Sequence, residues 1–217
     1  MASHSISLVD LHNGDRMSRD EFLWRWEQIP EIKRAELIDG MVYLSSPLSE
    51  RHSDYEQLLN RWLSHYESEV PGLKILPNAT WLLGDSSPQP DLALIRQSGT
   101  SRSSGKFREG PPELVVEICY SSLAYDLGPK LALYRRARVQ EYLTILLEDK
   151  KAQWRALNSD GRYQVLKPAG GFLKSRVFPG LWLEAGAMFP PDRKRLLAGV
   201  DAGLQQASPI TVRKERR

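Results

Sequence analysis

The chain is poor in cysteine. Cys119 is the only one in 217 residues, which excludes an intramolecular disulfide and any cysteine-rich zinc centre and makes a reducing compartment the simplest setting. Long apolar runs are lacking too. No stretch approaches the roughly 18 consecutive apolar residues of a membrane span, and the opening MASHSISLVDLHNGDRM has no basic start followed by an apolar run, so no secretion leader is expected. A cytoplasmic chain without membrane association is predicted. Internal repeats are absent, and a 41% hydrophobic content sets the chain apart from disordered or low-complexity sequences. The length suits one large domain with trimmings.

The formal charge of +3 is too small to argue for nucleic acid, but it is unevenly spread. Arg193, Lys194, Arg195, Arg213, Lys214, Arg216 and Arg217 face only Asp201 and Glu215 within the last stretch. Such a tail is either a solvated basic end or an arm that follows a phosphate backbone. The expected division is an N-terminal extension over 1–17, a folded domain over 18–190, and a helix with a basic tail over 191–217.

Ser18, with Glu21 three residues on, predicts a helix over 18–29 that Pro30 closes. Residues 36–38 and 41–44 flank Asp39-Gly40, the strongest short hairpin signal. From Ser49, the residues Tyr55, Leu58, Leu59, Trp62, Leu63 and Tyr66 recur at helical spacing, and Pro71-Gly72 ends that helix. Strands are predicted over 74–76, 79–83, 91–95 and 113–119. A polar loop carrying Arg102, Lys106 and Arg108 is expected over 97–110. A helix over 126–138 with Pro129 in its first turn follows, then strands over 142–147, 151–157 and 163–167, an irregular segment, and a last helix over 191–205. This order argues for a mixed α/β or α+β domain around a mixed sheet.

The informative residues are carboxylates where a fold should avoid them. Glu117 interrupts the apolar run Leu114-Val115-Val116-Glu117-Ile118, and Asp91 opens the apolar strand Asp91-Leu92-Ala93-Leu94-Ile95 after Pro90. A buried carboxylate must be paired, protonated or bound to metal. If the two strands are neighbours, hard oxygen ligands of this kind suit Mg2+ or Mn2+. Lys130 lies one helical turn beyond Asp126 and could stabilise charge on an attacked phosphate. Glu36 could add a carboxylate, and His52, near a helix start, could touch substrate or metal. Simpler readings stay open: Asp91 as a strand-start residue, Glu117 and Lys130 as a buried ion pair, Asp126 with Lys130 as a surface pair worth under about 1 kcal/mol. Cys119 reads as a small buried hydrophobe. His4, His12 and His65 lack metal-ligand spacing and read as surface residues.

The ordered set Glu36-Leu37-Ile38-Asp39-Gly40, Ser46-Pro47, His52, Pro90-Asp91-Leu92-Ala93, Glu113 to Ile118, Asp126-Leu127-Gly128 with Lys130 and Tyr134, and Glu141-Tyr142 resembles the Uma-two family of restriction-endonuclease-like proteins in the PD-(D/E)XK nuclease superfamily. The resemblance spans roughly residues 18–190. It implies a restriction-endonuclease-like core, a central mixed sheet flanked by helices, and metal-dependent hydrolysis of DNA phosphodiester bonds with Mg2+ or Mn2+. By position, Asp91 resembles the superfamily's metal-binding aspartate and Glu117 its second acid. Glu36 is similar to an acid contributed by an earlier element. Cys119 stands where the superfamily lysine would be, and Lys130 looks like its displaced replacement. Where the family usually carries a Ser-Pro-Ser-Thr-like segment, this chain has Tyr120-Ser121-Ser122-Leu123.

The leading expectation is a DNA endonuclease in which Asp91 and Glu117 hold the metal, Lys130 assists the attacking water and Glu36 supports the site. His52, Arg102, Lys106 and Arg108 would contact substrate, and the basic tail phosphates. A homodimer would supply two sites for two strands. The competing expectation is a nuclease-like domain that binds nucleic acid or a protein partner without cutting.

Overall fold

The computed structural model describes residues 9–45, 47–120 and 122–207. Ser46, Ser121, His4, the rest of 1–8, and the tail residues Arg213, Lys214, Arg216 and Arg217 lie outside the described residues. The chain runs through α1 (Arg19–Glu27), the hairpin β1 (Ala35–Ile38) and β2 (Met41–Leu44), α2 (Glu50–Glu69), β3 (Leu73–Pro77), β4 (Trp81–Leu82) and β5 (Leu92–Arg96). Next come β6 (Arg102–Ser104), β7 (Phe107–Glu109), β8 (Leu114–Cys119), α3 (Leu123–Tyr125), a π-helical turn over Asp126–Lys130, and α4 (Leu131–Arg136). The chain closes with β9 (Glu141–Leu146), β10 (Lys151–Leu157), β11 (Tyr163–Val165), β12 (Phe172–Lys174), β13 (Trp182–Glu184) and α5 (Arg193–Ala207).

The central sheet has six strands in the order β11-β10-β9-β8-β5-β3. Only the β8–β9 pair is parallel, so the sheet is mixed, as expected. Parallel neighbours need a crossover, and here it is the helical segment 123–136, which leaves the carboxyl end of β8 and returns across one face of the sheet. The opposite face is covered by α2: Leu59, Trp62 and Leu63 pack with Leu92, Leu94, Val116 and Ile145. Trp62 also donates its indole N–H to the Trp182 carbonyl at 2.9 Å, tying α2 to β13. On the crossover face, Ala93, Val115, Leu133, Tyr134 and Tyr142 form a second cluster with Ile38 and Trp81.

Two elements position the site from outside the sheet. At the hairpin turn, Asp39 and Gly40 both take positive φ, 51° and 75°, the conformation of the two-residue turn that the Asp-Gly pair favours. Leu37 exchanges backbone hydrogen bonds with Ser87 at 3.3 and 2.7 Å, docking the hairpin onto the segment that leads into β5. In α2, Ser49 caps the helix by accepting from the His52 N–H at 3.1 Å, and His52, on the first turn so fixed, stands beside Asp91 at the start of β5.

Three expectations need correction. The 97–110 segment is not an irregular loop: it contains β6 and β7, which join β4 in a separate three-stranded sheet, because Gly105 at φ 59° allows a tight reversal between them. The strand expected over 79–83 shrinks to β4 and pairs with β7 rather than with the main sheet. The helix expected over 126–138 is not continuous α-helix. It widens to a π-helical turn over Asp126–Lys130, where Pro129 has no N–H to give to an α-helical ladder.

Helix α5 crosses β13 with almost no clearance at Gly203. A methyl group there would overlap the Gly180 carbonyl oxygen and come within 2.9 Å of Trp182 Cγ. Gly203→Ala should therefore lose about 1–3 kcal/mol of stability, outweighing the roughly 1 kcal/mol that alanine gains in a helix. Urea denaturation of the variant against the wild type measures the difference.

Candidate active site

The register Leu92↔Val116 and Ala93↔Val115 between β5 and β8, continued by one residue, sets Asp91 opposite Glu117 on the crossover face. Both are buried. They open into a cleft of about 390 Å³ whose lining includes Arg34, Glu36, His52, Asp91, Glu117 and Lys130. Five of these six residues were expected at the site; Arg34 was not.

Lys130 is the centre of the charge arrangement. Its Nζ lies 2.6 Å from Glu117, 3.0 Å from Glu36 and 3.9 Å from Asp126, and the residue is 3% exposed. Burial alone would lower its pKa, but the charges of Glu117, Glu36 and Asp126 outweigh it and hold the ammonium well above its ordinary range. Asp126 and Lys130 are thus a buried pair, not a surface one. Glu117 is also shifted upward, which for an acid disfavours the charged form: burial, reinforced by Asp91, Asp126 and Glu36 and only partly opposed by Lys130, pushes its carboxyl well up. One lysine cannot neutralise so many acids, and the surplus falls on Glu117.

Tyrosine hydroxyls supply the remaining donors. Tyr134 donates to Glu117 Oε1 at 3.0 Å and Tyr125 to Glu36 Oε2 at 3.1 Å. Glu36 Oε1 also accepts from the Gln89 backbone N–H at 2.6 Å. Asp126 is bonded by the Ser122 hydroxyl, and burial, joined by Asp91 and opposed by Lys130 and Ser122, raises its pKa.

Asp91 sits in a different environment. Its Oδ2 accepts from the Ile118 N–H at 2.8 Å and lies 3.3 Å from His52 Nε2, while Oδ1 is 3.5 Å from Arg34. Burial would raise its pKa, yet the hydrogen bond and charge of His52, with Lys130 and the Ile118 N–H, hold it below the ordinary value. His52 responds in kind: burial lowers it, but Asp91 and Glu56 together bring it above 6.5. Glu56 Oε2 stands 3.9 Å from His52 Nδ1.

His52, Glu56 and Asp91 form a group whose ligand atoms all lie within 4.8 Å of one another, as a metal ion requires. Glu117 is not in that group. Sequence reasoning missed Glu56, although its spacing four residues after His52 in one helix was a legible sign. Arg34, Tyr125 and Tyr134 were also missed as site groups, since nothing local marks a tyrosine as a donor to a distant carboxylate. Arg102, Lys106 and Arg108 lie on β6, β7 and the turn between them, away from this cleft. Arg102 pairs with Glu109 at 3.4 Å, Lys106 with Glu27 at 3.1 Å, and Arg108 donates to Ser101 at 2.9 Å. Cys119 is buried, and burial raises its thiol pKa further.

The raised pKa of His52 depends on Asp91. With Asp91→Asn, burial and Arg34 act against Glu56 alone, and the imidazole should titrate below 6.5, whereas in the wild type it titrates above that value. The stability drawn from the wild-type pair is complete below the unfolded histidine value and fades as pH rises through the folded one. The NMR titration of the His52 ring protons in EDTA reads this directly.

The model of the Uma2 family, described as "Putative restriction endonuclease", matches residues 19–186. Among solved structures, one similar chain is a putative nuclease belonging to DUF820 from Anabaena variabilis ATCC 29413, at 16% identity and a TM-score of 0.62, covering 85% of this chain and 99% of that one. At this identity the likeness shows a shared restriction-endonuclease-like fold. No curated protein matches.

Proposed function

Because the chain belongs to the Uma2 family, whose model spans well over half its length, we propose that it is a metal-dependent endonuclease hydrolysing DNA phosphodiester bonds in the cleft around Asp91, Glu117 and Lys130. The observation that carries this reading is the convergence of Asp91, Glu117, Lys130 and Glu36, from three separate parts of the sequence, on one buried cleft. A purely structural ion pair needs two of these groups, not four.

The residues present fit a divalent cation. His52 Nδ1 is buried without a hydrogen-bond partner, buried Asp91 stands at His52, and the buried carboxylates Glu36, Glu117 and Asp126 stand around Lys130. Asp91 would hold Mg2+ or Mn2+ with His52 and Glu56, whose ligand atoms lie within 4.8 Å of one another, and Glu117, opposite Asp91 across the sheet register, would complete the acidic side of the site. When bound, such an ion supplies Lewis acidity toward a phosphoryl oxygen and acidifies water. Lys130 offers its ammonium to negative charge on the attacked phosphate, and its contacts with Glu36 and Glu117 keep it charged and aimed. His52 and the Ile118 N–H fix the Asp91 carboxylate.

Arg102, Lys106, Arg108 and the basic tail would contact phosphates outside the cleft, and a homodimer would let two sites act on two strands. A cytoplasmic location fits this reading. No helix among the described residues is long and apolar enough to cross a membrane.

Plasmid incubated with the protein and Mn2+ should be nicked or linearised. Asp91→Ala and Glu117→Gln should each reduce the rate by at least about a hundredfold, the scale of losing one electrostatic group from an active site. Cleavage persisting in Asp91→Ala overturns the assignment. Calorimetric Mn2+ binding without any cleavage points instead to a nuclease-like domain that binds without cutting.

A further inference from the structure

Beside the cleft lies a second cavity of about 650 Å³, within the range of roughly 300–1,000 Å³ of small-molecule sites. The two cavities share Gln89 as a wall. The second is cationic: Lys33, Lys74, Lys106 and Arg108 line it against a single acid, Glu27, which is already paired with Lys106 at 3.1 Å.

Two amide oxygens narrow the chemistry. Gln89 Oε1 and Asn78 Oδ1 are buried without a hydrogen-bond partner, and Gln89 is more than nine-tenths buried. The amino groups of the same side chains are occupied, Gln89 Nε2 donating to Thr80 Oγ1 at 3.1 Å and Asn78 Nδ2 to Glu56 Oε1 at 2.6 Å. A buried acceptor left without a donor is unfavourable, so a ligand edge that brings N–H groups to this wall would satisfy both residues. Trp26 and Phe107 line the same space. Lysines for a phosphate, aromatic rings for stacking and orphaned acceptors for an amino edge together match a nucleotide with an unpaired base.

We propose that the second cavity is a nucleobase subsite, holding an unpaired nucleotide of the strand whose backbone enters the cleft and favouring bases with an exocyclic amino group over thymine. This deepens the endonuclease reading and rests on it for the path of the strand. The connection to the cleft is short. The Gln89 backbone N–H donates to Glu36, Asn78 holds Glu56, and the Asn78 backbone N–H donates to the Asp91 carbonyl at 3.0 Å. A base seated against Gln89 and Asn78 would therefore bear on two residues that support the cleft.

Fluorescence anisotropy with labelled single-stranded oligo-dC and oligo-dT, in EDTA so that nothing is cut, tests the subsite apart from the chemistry. The wild type should bind oligo-dC about tenfold more tightly, within the discrimination that hydrogen bonding to a base edge supplies. Gln89→Met should bind both oligonucleotides with nearly equal affinity. Lys33→Ala with Lys74→Ala should weaken both alike and flatten the salt dependence by about 0.7 per lysine, with melting temperatures near that of the wild type. Equal wild-type affinity for the two oligonucleotides, or lysine variants that bind as the wild type does, overturns the proposal. Failure of the endonuclease reading shows separately, as absence of plasmid cleavage with Mn2+ while the oligo-dC preference persists.

Discussion

The buried ammonium of Lys130 is the contact on which the arrangement of the site depends. It joins Glu36 on the hairpin, Glu117 on the central sheet and Asp126 on its own helical turn, so the hairpin, the sheet and the crossover meet at one charge. Removing one partner from such a buried group strands the others without compensation, at about 3–5 kcal/mol. The same contact leaves the cleft with more acid than base. Burial, reinforced by the neighbouring carboxylates, raises Glu117 and Asp126.

Asp91 and Glu117 are opposite each other in register but electrostatically distinct. Asp91 is held below its ordinary pKa by His52, Lys130 and a backbone N–H, while Glu117 shares Lys130 with other carboxylates and takes a tyrosine hydroxyl. Two like acids with pKa values driven apart by their surroundings can take different roles. The helical segment that supplies Lys130 owes its shape to Pro129. The π-helical turn around it brings both Asp126 and Lys130 inward, and wide turns of this kind recur at functional positions.

The hairpin and the segment before β5 do more than brace the cleft. Gln89 reaches both cavities, with its backbone on Glu36 and its side chain beside Thr80. The small sheet formed by β4, β6 and β7 contributes Lys106, Phe107 and Arg108 to the second cavity. Residues that read as a loop are thus paired strands that wall the second cavity.

Much of this was present in the sequence. The Asp-Gly turn, the apolar stripe of α2 and the run ending in Glu117 follow from local rules of turn conformation and periodicity, and the misplaced acids Asp91 and Glu117 marked the site because burying charge is expensive. Spacing along one helix was enough to pair Asp126 with Lys130. What the chain could not disclose alone was which strands are neighbours and which faces meet. That Glu36 reaches Lys130, that Glu56 and Arg34 stand at Asp91, that Tyr134 serves Glu117, and that β7 pairs with β4 were decided by tertiary structure, because these are encounters between segments well separated along the chain, and local propensity carries no information about them.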